Sequence, residues 1–140
     1  MKRLICLVLF MLPGVGIADQ WLCVADRSTG FEYNEYSEQW KQTKFDVEQF
    51  KYIVGPKNLE NQYKYHITQL GNNDALANCL EGFNAKGELY CKGSINDGSD
   101  VITVFNMSKK HGRFVMSQAF GYFADNTDSP LVTIGQCSKF

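Results

Sequence analysis

Hydrophobic and polar positions along this chain alternate on a short period. In "YKYHITQL", Tyr63, Tyr65 and Ile67 share one face and Lys64, His66 and Thr68 the other. That period of two predicts a half-buried strand. "WLCVAD", Trp21 to Asp26, predicts another, closed by the turn "RSTG". Phe31 and Tyr33 alternate about Glu32, and Trp40 opens a second arm after the polar turn "NEYSEQ". "KYIV" is short, rich in β-favouring residues and stopped by Gly55-Pro56. "NCLEGF" and "ELYCKG" flank "NAKG" as the arms of a hairpin. "DVITVFNM" predicts a strand buried on both faces, and "RFVMSQAFGYF" and "LVTIGQC" complete eight or nine short strands. Helical signal is confined to single turns in "TKFDVEQFKY" and in "GNNDALANC", the latter capped by Asn73 or Asp74. The expected fold is all-β, an antiparallel meander of about eight short strands, barrel-like and stapled by two disulfides.

The first twenty residues break this pattern. Lys2 and Arg3 precede an apolar run from Leu4 to Leu12, then Pro13-Gly14, with small residues at Gly16 and Ala18. This is the layout of a secretory signal peptide over 1–18, leaving 19–140 as one exported β domain. The apolar run is short for a membrane span, and Pro13 interrupts it. Removing eighteen of the 140 residues leaves 122, enough for one modest core. Fourteen basic residues fall to twelve against fifteen acidic, so the mature chain is near −3. That balance excludes a nucleic-acid binder, which needs a basic surplus. No later segment is apolar enough to span a membrane.

Export changes how the cysteines read. The four that remain, Cys23, Cys79, Cys91 and Cys137, are an even number in an oxidising compartment and so predict disulfides. Zinc or redox chemistry would need closer pairs. Four cysteines allow three connectivities, and spacing alone does not choose among them. Hairpin geometry helps to choose, a two-residue loop shifting the register by one and weakening the match. With a loop of three or five residues centred on Ala85, Cys79 falls opposite Cys91, close enough to bridge. Cys23 and Cys137 then join the first strand to the last, as when a meander closes into a barrel.

Candidate chemistry is sparse. His66 lies mid-strand and His111 in "SKKHGRF", and neither has a nucleophile in a recognised setting, so a small hydrolase is the least supported class. No catalytic residue and no cofactor or metal motif is assigned. Asp97, Ser99 and Asp100 in "NDGSD" make an Asp-Gly turn rather than a calcium loop. Most of the aromatic side chains are expected to fill the core and its edge; the tyrosines, numerous for so small a core, also suit a binding surface.

"CVADRSTGFEY", "KYIV", "GRF" and the terminal "IGQCSKF" resemble a group of small exported bacterial proteins of uncharacterised function, over Trp21 to Phe140. The succession of short strands more remotely resembles lipocalin-like barrels and periplasmic lysozyme inhibitors. The resemblance implies a periplasmic or secreted protein and brings no catalytic residues. The expectation is a non-enzymatic protein-binding module of the envelope, of inhibitor or immunity kind. The alternative is a small-molecule carrier with its ligand in the barrel mouth. Lys109, Lys110, His111 and Arg113, packed around Gly112, are the candidate contact with an acidic protein or an anionic envelope polymer.

Overall fold

A computed structural model of the chain describes residues 19–57, 62–95, 100–119 and 129–140. The leader read over 1–18 and the Asp97 and Ser99 turn lie outside them. Nine strands follow in order: β1 (Trp21–Asn34), β2 (Gln39–Phe45), β3 (Lys51–Pro56), β4 (Tyr65–Gln69) and β5 (Ala75–Cys79), then β6 (Glu88–Ile95), β7 (Asp100–Ser108), β8 (Arg113–Gln118) and β9 (Leu131–Lys139). All pairings are antiparallel. The sheet runs β2-β1-β3-β4-β5-β6-β7-β8-β9, and β9 returns to β1. Eight strands therefore close a barrel, and β2 is an extra strand bonded to β1.

Strand β1 controls the layout. Its first half pairs with β3, from Trp21↔Val54 to Val24↔Lys51, and its second half with β2, from Ser28↔Phe45 to Asn34↔Gln39. Between them a bulge at Ala25/Arg27 shifts the register against β9. An extra residue inverts which side chains point inward. Cys23 and Ala25 are buried before it, and Ser28 after it. The turn expected at "RSTG" is thus continuous strand. The bulge lets β1 bend and change partner without breaking the ladder.

Three more expectations are corrected. "GNNDALANC" is not helical: Ala75–Cys79 is β5, with Ala77 and Cys79 buried against the core. Its polar start is an Asn-type turn in which the Asp74 N–H donates to Asn72 Oδ1. The other helical turn is a short connection, closed by Phe50 N–H donating to the Val47 carbonyl. Strand β7 is not buried on both faces. Thr103, Phe105 and Met107 are buried while Val104 and Asn106 are partly exposed, because an antiparallel barrel leaves its outer face to solvent.

The inward set fills the barrel. Phe105 and Phe114 stack with centroids 5.2 Å apart, and Tyr52 meets them edge-on at 6.2 and 5.7 Å. Each such pair contributes about 0.5–1.5 kcal/mol beyond area burial. Val54, Ile67 and Leu89 are fully buried beside them. The hydroxyls of Ser28 and Thr133, also buried, hydrogen-bond to each other at 3.0 Å across β1 and β9. At one end Trp21 packs on Phe83, which packs on Tyr65, closing the barrel with rings.

Both disulfides form as the strand geometry requires. Cys79 and Cys91 have Cα atoms 4.1 Å apart, and Cys23 and Cys137 have theirs 4.0 Å apart. Phe140 N–H donates to the Gln20 carbonyl, and counting in alternate pairs from there makes Cys23↔Cys137 a non-hydrogen-bonded pair. Such pairs bring Cα atoms closest, which suits a bridge. Two bonds of this kind suit a protein that matures in a non-reducing compartment. Among the described residues no helix is long and apolar enough to cross a membrane.

Candidate functional site

The four candidate contact residues occupy the β7–β8 turn and the start of β8. Gly112 has φ +59, a conformation glycine adopts without strain, and its carbonyl accepts the Cys137 N–H. The turn gathers the four residues but does not aim them together. Lys109 is anchored: its N–H donates to the Gly87 carbonyl and its ammonium stands 5.1 Å from the Phe83 ring centre. Lys110 and His111 are exposed. Arg113 lines a shallow cleft of about 310 Å³ on the outer face, with Glu88, Tyr90, Asn106 and Val115. There the Glu88 carboxylate accepts bonds from Asn84 Nδ2 (3.0 Å) and the Tyr90 hydroxyl (2.8 Å). These bonds hold Glu88 below its ordinary pKa and raise that of Tyr90.

Barrel topology adds cations that the local pattern did not group. The neighbouring Asn84–Gly87 turn brings Lys86 beside the tip. Lys57 after β3, Lys64 before β4 and Lys139 at the end of β9 lie at the same end. Lys139 is paired with Asp19 at 2.6 Å, and Lys57 donates to Asn78 Oδ1 at 2.9 Å. Glu81 and Glu88 are the other described acidic side chains there. The opposite end carries Glu32, Glu35 and Glu38 in the β1–β2 hairpin, Asp46 and Glu48 before β3, and Asp74 before β5, which outnumber Lys41, Lys44 and Lys51 on β2 and at the start of β3. The barrel is therefore charged oppositely at its two ends. The sequence signal for this was lysine in the β3–β4, β5–β6 and β7–β8 connections, legible only once the strand directions are known.

His66 lies away from His111, on β4 opposite Gly55 and Asn78. It is half-buried, and its Nδ1 is buried without a hydrogen-bond partner. Burial first, and the Lys57 charge second, hold its pKa below the ordinary value. Among the described residues no three His, Cys, Asp or Glu side chains converge as metal ligands would.

A larger cleft, about 630 Å³, opens where β2 and β3 part around the β1 bulge. Arg27, Thr29, Lys44, Val132 and Ile134 line it, with Asp26 at its rim tied to Gln136 Nε2 at 3.4 Å. Phe31, Val132 and Ile134, each about half exposed, extend an apolar strip along this outer face. No family model matches the chain, and neither a curated protein nor a solved structure matches it.

Proposed function

We propose that this chain is a non-enzymatic binding protein of the bacterial envelope, exported to the periplasm or beyond, whose contact surface is the basic end of the barrel. The observation that carries the reading is the segregation of charge. Lys86, Lys110 and Arg113 stand at one end with no ion pair among the described residues, in a chain that is acidic on balance. Such a surface fits an acidic protein, for example the cleft of an enzyme to be inhibited. It raises the association rate and weakens with salt. A carrier with ligand in the barrel mouth is less well supported, because Tyr52, Phe105 and Phe114 occupy the interior. A hydrolase is less well supported still, since His66 and His111 stand apart.

The test is capture of envelope proteins on the oxidised protein, followed by elution in salt. An acidic protein should be retained at low salt and released at high salt. Replacing Lys86, Lys110 and Arg113 by Ser should abolish retention while leaving the melting temperature in place. Retention indifferent both to salt and to these changes would remove the basic end as the contact.

A further inference from the structure

We propose that the cleft beside the β1 bulge binds a long-chain carboxylate, its head between Arg27 and Lys44 and its alkyl chain along Val132 and Ile134. The cleft arises where β1 changes partner. Pairing with β3 ends at Val24↔Lys51 and pairing with β2 begins at Ser28↔Phe45, so residues 25–27 lie between the two strands. The β2–β3 connection crosses there, tied by the Ala25 N–H, which donates to the Phe50 carbonyl at 3.0 Å. The resulting volume, about 630 Å³, is that of a small-ligand site, roughly 300–1,000 Å³ in general.

Register places the lining side chains. After the bulge Ser28 is buried, and its neighbours Arg27 and Thr29 turn outward. Arg27 stands opposite Ile134 and Thr29 opposite Val132 on β9, while Lys44 of β2 stands opposite Thr29. Arg27 and Lys44 are therefore diagonal neighbours on one face, and side chains of that length converge on one small anion. Neither has an ion pair among the described residues. The acidic side chains nearest in sequence are engaged: Asp26 with Gln136 Nε2 at 3.4 Å, and Asp46 with the Glu48 N–H at 3.0 Å. Beside the two cations runs an apolar track. Val132 and Ile134 are about half exposed, and Phe31, diagonal to Val132, continues it. Cations next to exposed apolar surface complement a ligand with an acidic head and one alkyl chain. Two cations and the Asp26 carboxylate leave the lining one positive charge, which matches a singly charged carboxylate better than a doubly charged phosphate. Arginine also suits the planar, two-oxygen geometry of a carboxylate. The cleft shares no lining residue with the basic end, so the inference stands apart from the proposed function.

The test is titration of the oxidised protein with dodecanoate below its micelle concentration, read by calorimetry and by backbone amide NMR shifts. Dodecanoate should bind one site per chain and shift the amides of residues 26–29, 44–47 and 132–134 together. Dodecyl maltoside, the same chain with an uncharged head, and acetate, the head without the chain, should each bind more than about tenfold more weakly. Dodecyl phosphate should bind no more tightly than dodecanoate. Replacing Arg27 and Lys44 together by Gln should reduce dodecanoate to the level of dodecyl maltoside, with both disulfides formed and the melting temperature in place. Ile134→Thr should weaken dodecanoate and dodecyl maltoside alike. On the native protein alone, an absence of dodecanoate binding, amide shifts centred on another region, or dodecyl maltoside binding as tightly would each overturn the proposal. So would tighter binding of dodecyl phosphate, or dodecanoate affinity unaltered by the Arg27 and Lys44 changes.

Discussion

Lys109 holds its ammonium 5.1 Å from the centre of the Phe83 ring, and its backbone N–H bonds to the Gly87 carbonyl. Two turns far apart in sequence, β5–β6 and β7–β8, are joined by this one residue. Lys109 therefore acts as a clasp as well as a surface charge. Replacing it by Ser should lower stability by about 1 kcal/mol, the usual size of a partly exposed cation–π contact. Lys110→Ser should leave stability unchanged. Urea midpoints of the two variants, measured side by side, decide the point; equal midpoints would refute the clasp.

The two disulfides differ in the length of chain that they close. Cys23–Cys137 spans 114 residues and Cys79–Cys91 spans 12. Restriction of the unfolded chain then gives about 5 and about 3 kcal/mol respectively. Serine pairs replacing each bond should show the greater loss for the first, which is also the closure of the barrel. Denaturant unfolding of the two double variants measures this, and a greater loss on removing Cys79–Cys91 would contradict it.

Acid should destabilise the fold through His66. Its folded pKa is held below the ordinary 6.5, so on acidification the unfolded chain takes up this proton first. The contribution is fully present above the ordinary value and is lost as pH falls from there through the folded value. His66→Gln should flatten the fall of melting temperature over this range. A variant whose acid profile matches the parent's would show that other groups set it.

Alkali should act through Tyr52. Burial raises its pKa to about 12 from the ordinary 10.0, so the folded state keeps the phenol protonated after the unfolded chain has released it. Stability from this source is intact below pH 10 and declines as pH rises toward 12. Tyr65 and Tyr90 are also raised, but absorbance titration should show the last tyrosinate forming toward pH 12, and Tyr52→Phe should remove that step. An unchanged titration would place the late phenol elsewhere.

Gly135 faces the bulge in β1. A Cβ there would collide with the Val24 carbonyl oxygen and stand 2.5 Å from Phe114 Cε1. Gly135→Ala should cost about 1–3 kcal/mol by overpacking. Gly71, with φ +88 and open space around it, is the comparison: Gly71→Ala is strained by backbone conformation alone. Restoring space with Phe114→Leu should recover part of the Gly135→Ala loss and none of the Gly71→Ala loss. Thermal melts of the single and double variants would reveal any coupling.

The sequence by itself determined most of the strands and, where alternation is clear, which face each side chain takes. Alternation in "YKYHITQL" predicts the burial of Ile67, and the hairpin spacing predicts Cys79 opposite Cys91. These features are legible because side-chain direction in a strand and pairing across a short turn are local. The continuity of β1 through "RSTG" and the strand at Ala75–Cys79 were not legible. Both segments carry turn-forming or cap-forming residues, and only a partner strand supplies the ladder that overrides that preference. Lys109, Lys110, His111 and Arg113 could be grouped from their spacing. The division of labour between Lys109 and Arg113, and the company of Lys86 and Lys57, could not. Which turns share a barrel end, and which side chains line the cleft beside the β1 bulge, depend on strand order and register, which pairing between distant segments settles.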